Sequence, residues 1–557
     1  MLTLNKKIDL VFIIFLLLAG LKLTFGIHGL IDIALWDETS SLSGGINLII
    51  DGYPGSYRSS IYQLWYYFLY LISPDPINLF YLNLTLQIII LPIVFYFFLR
   101  LCKISEFYSF IFSFICLLSF CNTLTMPRGS IFAAIVMLVF LILAISLNNH
   151  YASVLVFATG CLVTSFARPE YFTSFILASL YIFVIAVSDY KNIWNNKTIL
   201  YGLLIFLISS SLIISIFGNP LSGGKKYLFF AFAQSFAHNW VSWNNIDINP
   251  YFNYEMIIEE VYGKVNNLFA AFAANPFIFL KHVLTNFIKY VISLFIVLFL
   301  HINIILPSSS VLFNIIEALF GFIALLVLLY LYREKLFINI KNIIHDYKTI
   351  ILYFIILFIP TFITAFIVTT RKDYLIMQYL IILSSCVIIV HGSLPNIELK
   401  DLKKVVSLGI IFLMITPYIS GNWYFTKSPL RAFISGNWQD SMGNRVLINI
   451  NTINFIRSLK IHNKQVNLLE AEGGYNIYLG KNFRWVPHYN KESKFSDFLL
   501  TNSINMVVAT EELNKDIRYQ NDQQWIEFMA NYKNYGFKKM DIPNTNHILY
   551  ISGRLLD

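Results

Sequence analysis

Residues 130–147 have the sequence SIFAAIVMLVFLILAISL, which contains no charged side chain. A membrane-spanning α-helix needs about 20 predominantly apolar residues. Similar segments recur at residues 8–27, 79–100, 107–122, 151–167, 171–188, 199–217, 309–332, 350–369, 374–392 and 405–421. Another apolar segment, 283–305, is interrupted by Lys289. Together they predict a polytopic α-helical membrane protein with 11–13 transmembrane helices.

The composition excludes two other classes of protein. The 557 residues are 57% hydrophobic and 17% aromatic, and only 13% are charged. The mean hydropathy is +0.65. A soluble enzyme of this size needs far more polar surface, and a disordered chain is far more polar than this one.

The last quarter of the chain is more polar than the rest. Residues 424–557 hold 28 of the 71 charged side chains, one residue in five, against one in ten over residues 1–423. The contrast predicts a separate C-terminal domain of ordinary size. Strand-like runs at 466–469, 506–509 and 547–550, with helical stretches near 451–460 and 523–533, predict an α/β fold.

Basic residues predict the orientation, because lysine and arginine mark the cytoplasmic side. They crowd the loops that contain Lys6, Lys7, Arg100, Lys103, Lys191, Lys197, Arg333, Lys335, Lys341, Lys348, Lys400, Lys403 and Lys404. This pattern explains the net charge of +9 without a nucleic-acid partner. It predicts the N-terminus inside and the C-terminal domain outside. No small-residue cleavage site follows the apolar run that ends at Phe25, so the first span is expected to stay uncleaved.

The orientation leaves one inconsistency. If 283–305 and 309–332 both cross the membrane, the basic stretch 333–348 faces outward, against its charge. Either one of the two segments is re-entrant or interfacial, or there is a further span near 227–237. The outward loops are then 28–78, 123–129, 167–170, 218–282 and 370–373.

The first long outward loop contains two adjacent carboxylates, Asp37 and Glu38, about ten residues beyond the first span and beside Trp36. A carboxylate there can act as a general base on a substrate hydroxyl. Two solvated loop acids are the plainer interpretation. The pair could also ligate a divalent metal, whereas His238 and His282 alone are a weak metal signal.

The order of elements in this loop resembles that of a known superfamily. It runs Asp37-Glu38, Gly52-Tyr53-Pro54, Arg58, then Ser59-Ser60-Ile61-Tyr62 and an aromatic helix. The first extracytoplasmic loop of GT-C glycosyltransferases, such as protein O-mannosyltransferases and the aminoarabinose transferase of lipid A, is similar. Their last element contains prolines that this chain lacks, so the resemblance is to the superfamily alone. Serotype-converting O-antigen glucosyltransferases have a similar size and layout.

Three later features fit the same superfamily. Arg168-Pro169-Glu170 opens one span and Arg371-Lys372-Asp373-Tyr374-Leu375 opens another, both from the outer side, and the chain ends in a small α/β domain. The resemblance therefore implies a transmembrane GT-C-like catalytic domain over residues 1–423, with long loops 28–78 and 218–282, and a periplasmic domain over 424–557.

The resemblance also implies an activity. The enzyme would be an inverting glycosyltransferase in a bacterial inner membrane, moving a sugar from polyprenyl phosphate to a hydroxyl of a surface glycan or lipid-linked glycan. Asp37, with Glu38, would be the catalytic base. The resemblance implies no particular cofactor, and a divalent metal is left open. An O-antigen polymerase and a lipid-linked glycan flippase are the alternatives; a flippase would place its polar residues near the bilayer midplane.

The anionic donor needs cations at headgroup depth. Arg371 is the first candidate for its phosphate, followed by Arg58, Lys225 and Lys226; snorkelling anchors at span ends are the plainer interpretation. The residues expected to shape the cavity or hold the acceptor are Arg128, Arg168, Glu170, His238 and Tyr53. Arg168 and Glu170 are expected to pair, and Lys289 is expected to form a structural pair with Glu317.

Overall fold

The computed structural model describes residues 6–29, 31–52, 59–119, 121–122, 126–191, 196–218, 220, 224–299, 342–368, 372–393, 447–471, 473–486, 494–514, 516–520 and 522–556. These residues form a mostly helical part and a C-terminal α/β region, which confirms the predicted fold class. The predicted spans 309–332 and 405–421 lie outside the described residues.

The helices of the first part follow the apolar segments of the sequence. They are α1 Lys6–Thr24, α2 Asp37–Ile46, α3 Leu48–Asp51, α4 Ser60–Ile72, α5 Pro76–Leu101, α6 Glu106–Leu118, α7 Gly129–Ser146, α8 His150–Ser165, α9 Glu170–Ser188, α10 Lys197–Phe217, α11 Gly224–Asn244, α12 Pro250–Tyr262, α13 Leu268–Ala274, α14 Pro276–Phe299, α15 Lys348–Ile367 and α16 Ile376–Ser393. A 3₁₀ turn, Lys372–Leu375, precedes α16.

Among the described residues, seven helices are long and apolar enough to cross a membrane: α1, α5, α7, α9, α10, α14 and α15. Three shorter apolar helices, α6, α8 and α16, coincide with further predicted spans. The protein is therefore a multi-pass membrane protein by helix length and composition. The helix α11 covers the predicted extra span near 227–237, but it does not meet the same criteria.

One end of the helical bundle is defined by a buried ion cluster. Arg100, at the end of α5, donates to Asp9 of α1 at 2.8 Å and to Glu106 of α6 at 2.7 Å. At the same end the Tyr347 hydroxyl, just before α15, donates to the Cys102 carbonyl at 2.9 Å. We call this end the Arg100 face; the opposite end, where α7 and α9 begin, is the loop face.

The helix α14 runs antiparallel to α15. His282 contacts the Ile367 carbonyl at 3.1 Å, whereas Tyr290, eight residues later, packs against Phe362 at 5.3 Å between ring centroids. The later turns of α14 therefore approach the Arg100 face, where α15 begins. Residue 299, where α14 ends, and Lys348, where α15 begins, thus both lie toward the Arg100 face.

The α/β region is built around a five-stranded sheet. Its strands are β1 Val466–Leu469, β2 Phe483–Val486, β3 Met506–Ala509, β4 Phe537–Asp541 and β5 Ile548–Ser552, in the order β2-β1-β3-β5-β4. The first three are parallel, and β5 and β4 add antiparallel. Its helices are α17 Ile448–Ser458, α18 Tyr475–Leu479, α19 Phe495–Thr501, α20 Glu511–Asn514, α21 Ile517–Gln520, α22 Gln523–Asn531 and α23 Gly553–Leu556.

The three predicted strands and both predicted helices of this region are confirmed. The strands β2 and β4 were not predicted. Both occupy edges of the sheet, where one side of the backbone is unpaired and polar side chains face solvent. The sequence of β4, FKKMD, therefore lacks the apolar run that identifies a buried strand.

Candidate functional site

Glu38 lies in the first turn of α2 and is only 4% exposed. Its Oε1 atom accepts hydrogen bonds from the hydroxyls of Tyr62, at 2.7 Å, and Tyr66, both on α4. The close crossing of the two helices depends on glycine, because a Cβ at Gly45 would lie 2.4 Å from the Cβ of Tyr66. The local sequence thus brings α4 to the carboxylate and holds it there.

A polar network continues from Tyr62 into the membrane part. The Tyr62 hydroxyl accepts hydrogen bonds from Asn83 at 2.8 Å and from Gln87 at 3.0 Å, both on α5 and almost fully buried. Gln87 in turn accepts from the backbone amide of Arg128 at 2.9 Å. Buried polar side chains are hydrogen-bonded when they persist in a folded protein. Here they connect Glu38 with the start of α7.

A second group of predicted residues lies at the beginning of α9. Arg168 donates to Glu170 at 2.8 Å, so the expected pair is present, and its guanidinium lies over the ring of Tyr374 at 4.3 Å. The hydroxyl of Ser59, at the start of α4, donates to the carbonyl of Ala167 at 3.1 Å. Ser59, Arg168 and Tyr374, which precede α4, α9 and α16, therefore lie at the loop face.

The second long loop meets the first through aromatic rings. Trp36, directly before α2, lies 6.2 Å between ring centroids from Tyr251 at the start of α12. His238 of α11 is exposed, and its ring packs edge-on against Tyr251 at 4.4 Å. His238 therefore lies on the same surface as Trp36, whereas His282 is buried in another cluster.

That other cluster joins α11, α14 and α15. Asn239 donates to His282 at 2.9 Å and to Asn286 at 3.0 Å, and it accepts from the Lys289 ammonium at 2.6 Å. The expected partner of Lys289, Glu317, lies outside the described residues. The described partner of Lys289 is thus an amide rather than a carboxylate.

The α/β region holds the segment that leads to the acidic pair. Asp32 accepts hydrogen bonds from the backbone amides of Asn449 at 2.7 Å and Ile450 at 3.1 Å, in the first turn of α17. The Tyr478 hydroxyl donates to the Ala34 carbonyl at 3.1 Å. Burial raises the pKa of the Asp32 carboxyl, and the amides that bind it pull the pKa back down. The C-terminal region therefore lies on the loop face and is hydrogen-bonded to the chain just before Trp36.

The side chains of several predicted residues lie outside the description. This holds for the Asp37 side chain, whose backbone begins α2, and for Lys225 and Lys226, whose backbone belongs to the first turn of α11. Tyr53, Arg58 and Arg371 lie outside the described residues altogether. Their predicted roles stay predictions.

Sequence reasoning missed several residues of the Glu38 network and of the loop face. Asn83 and Gln87 carried a usable signal, because polar side chains inside a transmembrane helix are costly and serve a purpose. Tyr66 could not be singled out, because it is one of several aromatic residues in α4. Asp32 carried no signal, because its partners lie 417 and 418 residues away in the chain.

Within the described ranges, no three His, Cys, Asp or Glu side chains lie close enough together to hold one metal ion. The chain matches no protein-family model and no curated protein.

Proposed function

We propose that this protein is a GT-C-like inverting glycosyltransferase that moves a sugar from a polyprenyl-phosphate carrier to a hydroxyl of a surface glycan or lipid-linked glycan. The observation that carries the proposal is the convergence of separate loops around the first turn of α2. Charged and aromatic residues from five parts of the chain meet at the end of the bundle that the basic loops assign to the outside.

In the chemistry that we propose, the two carboxylates have different roles. Asp37 accepts the proton of the acceptor hydroxyl as its oxygen attacks the anomeric carbon from the face opposite the phosphate. The bond from that carbon to the phosphate oxygen breaks, and the polyprenyl phosphate leaves. Glu38, bound by Tyr62 and Tyr66, fixes the turn from which Asp37 acts.

The charge on the departing phosphate calls for cations at the same depth. Arg371 and Arg58 are proposed for this role. Their chain neighbours support it, because Tyr374 lies against Arg168 and Ser59 lies against Ala167. The ion pair of Arg168 with Glu170 is proposed to shape the cavity between them rather than to bind phosphate.

The test is transfer of radiolabelled sugar from a panel of polyprenyl-phosphate sugars by the purified protein. Asp37→Asn keeps the shape of the side chain but removes the base, so transfer should slow about 10²–10⁴-fold. Glu38→Gln is the matched control: its amide oxygen can still accept from both tyrosine hydroxyls, but a neutral amide binds them less strongly than a carboxylate, so it should lower the melting temperature more than it alters chemistry. Transfer by Asp37→Asn at the wild-type rate would show that the base is elsewhere.

A further inference from the structure

Trp36 has a backbone conformation that bulky residues rarely adopt. Its φ is 68° and its ψ is −139°, within the left-handed half of the map that favours glycine. The side chain is nevertheless 42% exposed, so it is not forced into this conformation by burial of the indole. Strain of this kind persists where the surrounding structure over-determines it, and it is common at ligand sites.

The chain on both sides of Trp36 supplies that constraint. Ile33 and Leu35 are at most 2% exposed. On the other side, the Thr39 hydroxyl donates to the Trp36 carbonyl. With both flanks fixed, the indole is held outward at the loop face in the residue directly before Asp37.

Two residues from the second long loop complete a surface around the indole. Tyr251 is partly exposed and tilted by 38° to the indole, and His238 is exposed and stands edge-on to Tyr251. Anchoring at a membrane interface explains exposed aromatic residues in general. It does not explain the strain, because an anchor works equally well on a relaxed backbone.

We propose that Trp36, Tyr251 and His238 form a binding site for a pyranose ring. The apolar C–H face of a sugar packs on indole and phenol rings, and imidazole and hydroxyl groups hydrogen-bond to its hydroxyls. That the bound ring belongs to the acceptor rests on the proposed function, since Trp36 adjoins the proposed base. Binding of a sugar at this site does not rest on it.

Because the backbone of Trp36 is strained, one substitution can remove the indole ring without disturbing the backbone. Glycine adopts positive φ without steric cost, so Trp36→Gly removes the indole while it preserves the local chain path. Its melting temperature should equal or exceed that of the wild type. Tyr251→Ala is the second variant, and Tyr190→Ala, an exposed tyrosine just after α9 at the Arg100 face, is the matched control.

The experiment is saturation-transfer NMR with methyl glucopyranoside, galactopyranoside and rhamnopyranoside on the purified protein in detergent, without donor. We expect at least one glycoside to receive saturation mainly on one C–H face in the wild type and in Tyr190→Ala. The signal should fall at least several-fold in Trp36→Gly and in Tyr251→Ala. Undiminished signals in Trp36→Gly, or signals for no glycoside in the wild type, would overturn the proposal.

A misfolded Trp36→Gly would leave the decision to Tyr251→Ala, judged by the same criterion. The two proposals fail separately, because glycoside binding is measured without transfer. If Asp37→Asn transfers sugar normally but Trp36→Gly loses glycoside binding, the sugar site stands and the assigned base is wrong. If Asp37→Asn loses transfer but Trp36→Gly keeps glycoside binding, the assigned base stands and the sugar site is wrong.

Discussion

At the scale of single residues, the structure shows Glu38 as a buried carboxylate whose hydrogen bonds are made within the protein. The hydroxyls of Tyr62 and Tyr66 donate to its Oε1 atom, and the side chain is only 4% exposed. A general base must lie within hydrogen-bond reach of the substrate proton, and a carboxylate held in this way is poorly placed for that. We therefore propose proton transfer for Asp37 rather than for Glu38.

Arg371 offers a prediction about the donor. An arginine can form two parallel hydrogen bonds to phosphate, lysine supplies only a point charge, and alanine supplies neither. The phosphate gains charge as the glycosidic bond breaks, so the contact should strengthen in the transition state. Arg371→Ala should therefore lower the maximal rate and weaken donor affinity, and Arg371→Lys should recover part of both.

The measurement is steady-state transfer with varied donor at saturating acceptor, with folding checked by gel filtration. Lys191→Ala, at the Arg100 face, is the control and should behave as the wild type. A folded Arg371→Ala with both donor parameters unchanged would make Arg371 a span-end anchor. Lys225 and Lys226 would then be the next candidates for the phosphate site.

The sequence predicts which types of residue form the candidate site, but it does not predict which distant residues contact one another. Arg168 and Glu170 are two positions apart, and the sequence predicted their ion pair correctly. The stacking of Arg168 on Tyr374 joins residues more than 200 positions apart, and no periodicity encodes such a contact. Trp36 was noticed for its position beside Asp37, but its strain depends on contacts with the distant α/β region.

At the scale of elements, the N-terminus of α17 is bound by a carboxylate from the first loop. The first amides of a helix lack intrahelical partners, and Asp32 satisfies two of them. Loss of such a carboxylate typically costs about 0.5–2 kcal/mol. Asp32→Ala should therefore speed hydrogen exchange of the Asn449 and Ile450 amides, by about 5–30-fold for a loss of 1–2 kcal/mol. Asp32→Asn, which retains an acceptor oxygen, should change exchange much less.

The same contact has a pH dependence with a definite sign. Because burial raises the pKa of Asp32, the folded protein holds this proton more tightly than the unfolded chain does. The contribution of this group to stability is complete below the unfolded pKa and falls as the pH rises through the raised pKa. Protection of the two amides should thus be at least as strong at pH 5 as at pH 7, and Asp32→Asn should remove the difference. Weaker protection at pH 5 in the wild type alone would contradict this.

Elements were predicted best where burial dictates the pattern. The long apolar helices and the buried strands β1, β3 and β5 follow from hydropathy, whereas the edge strands β2 and β4, each of which includes at least one exposed charged residue, do not. The helix α11 shows a different limit. Its sequence mixes apolar residues with Gln234, His238 and Asn239, of which Asn239 belongs to the polar cluster with α14 and His238 is exposed beside Tyr251. Hydropathy alone cannot assign such a helix to the membrane or to its surface.

At the scale of the whole molecule, the chain ends on the opposite face from the end of α16. Tyr374, just before α16, lies against Arg168 at the loop face, and His391, near its end, lies against Tyr108, in the first turn of α6 at the Arg100 face. The α/β region begins at the loop face, where α17 contacts Asp32. His391 and Asn449 therefore lie at opposite faces, and the sequence predicts the span 405–421 between them.

This arrangement makes the topology testable with single cysteines. Lys533, in the α/β region, and Lys191, just after α9, are both exposed and belong to the loop face and the Arg100 face respectively. If basic loops mark the cytoplasm, Lys533→Cys should react with a membrane-impermeant maleimide in intact spheroplasts, whereas Lys191→Cys should react only after lysis. The wild type measures the background, which should be low because Cys102, Cys116, Cys121 and Cys161 are buried and Cys386 is half-buried. If Lys191→Cys reacted before lysis and Lys533→Cys did not, the protein would have the opposite orientation in the membrane. The loop face would then meet the cytoplasm, and a donor presented at the outer leaflet could not reach Asp37.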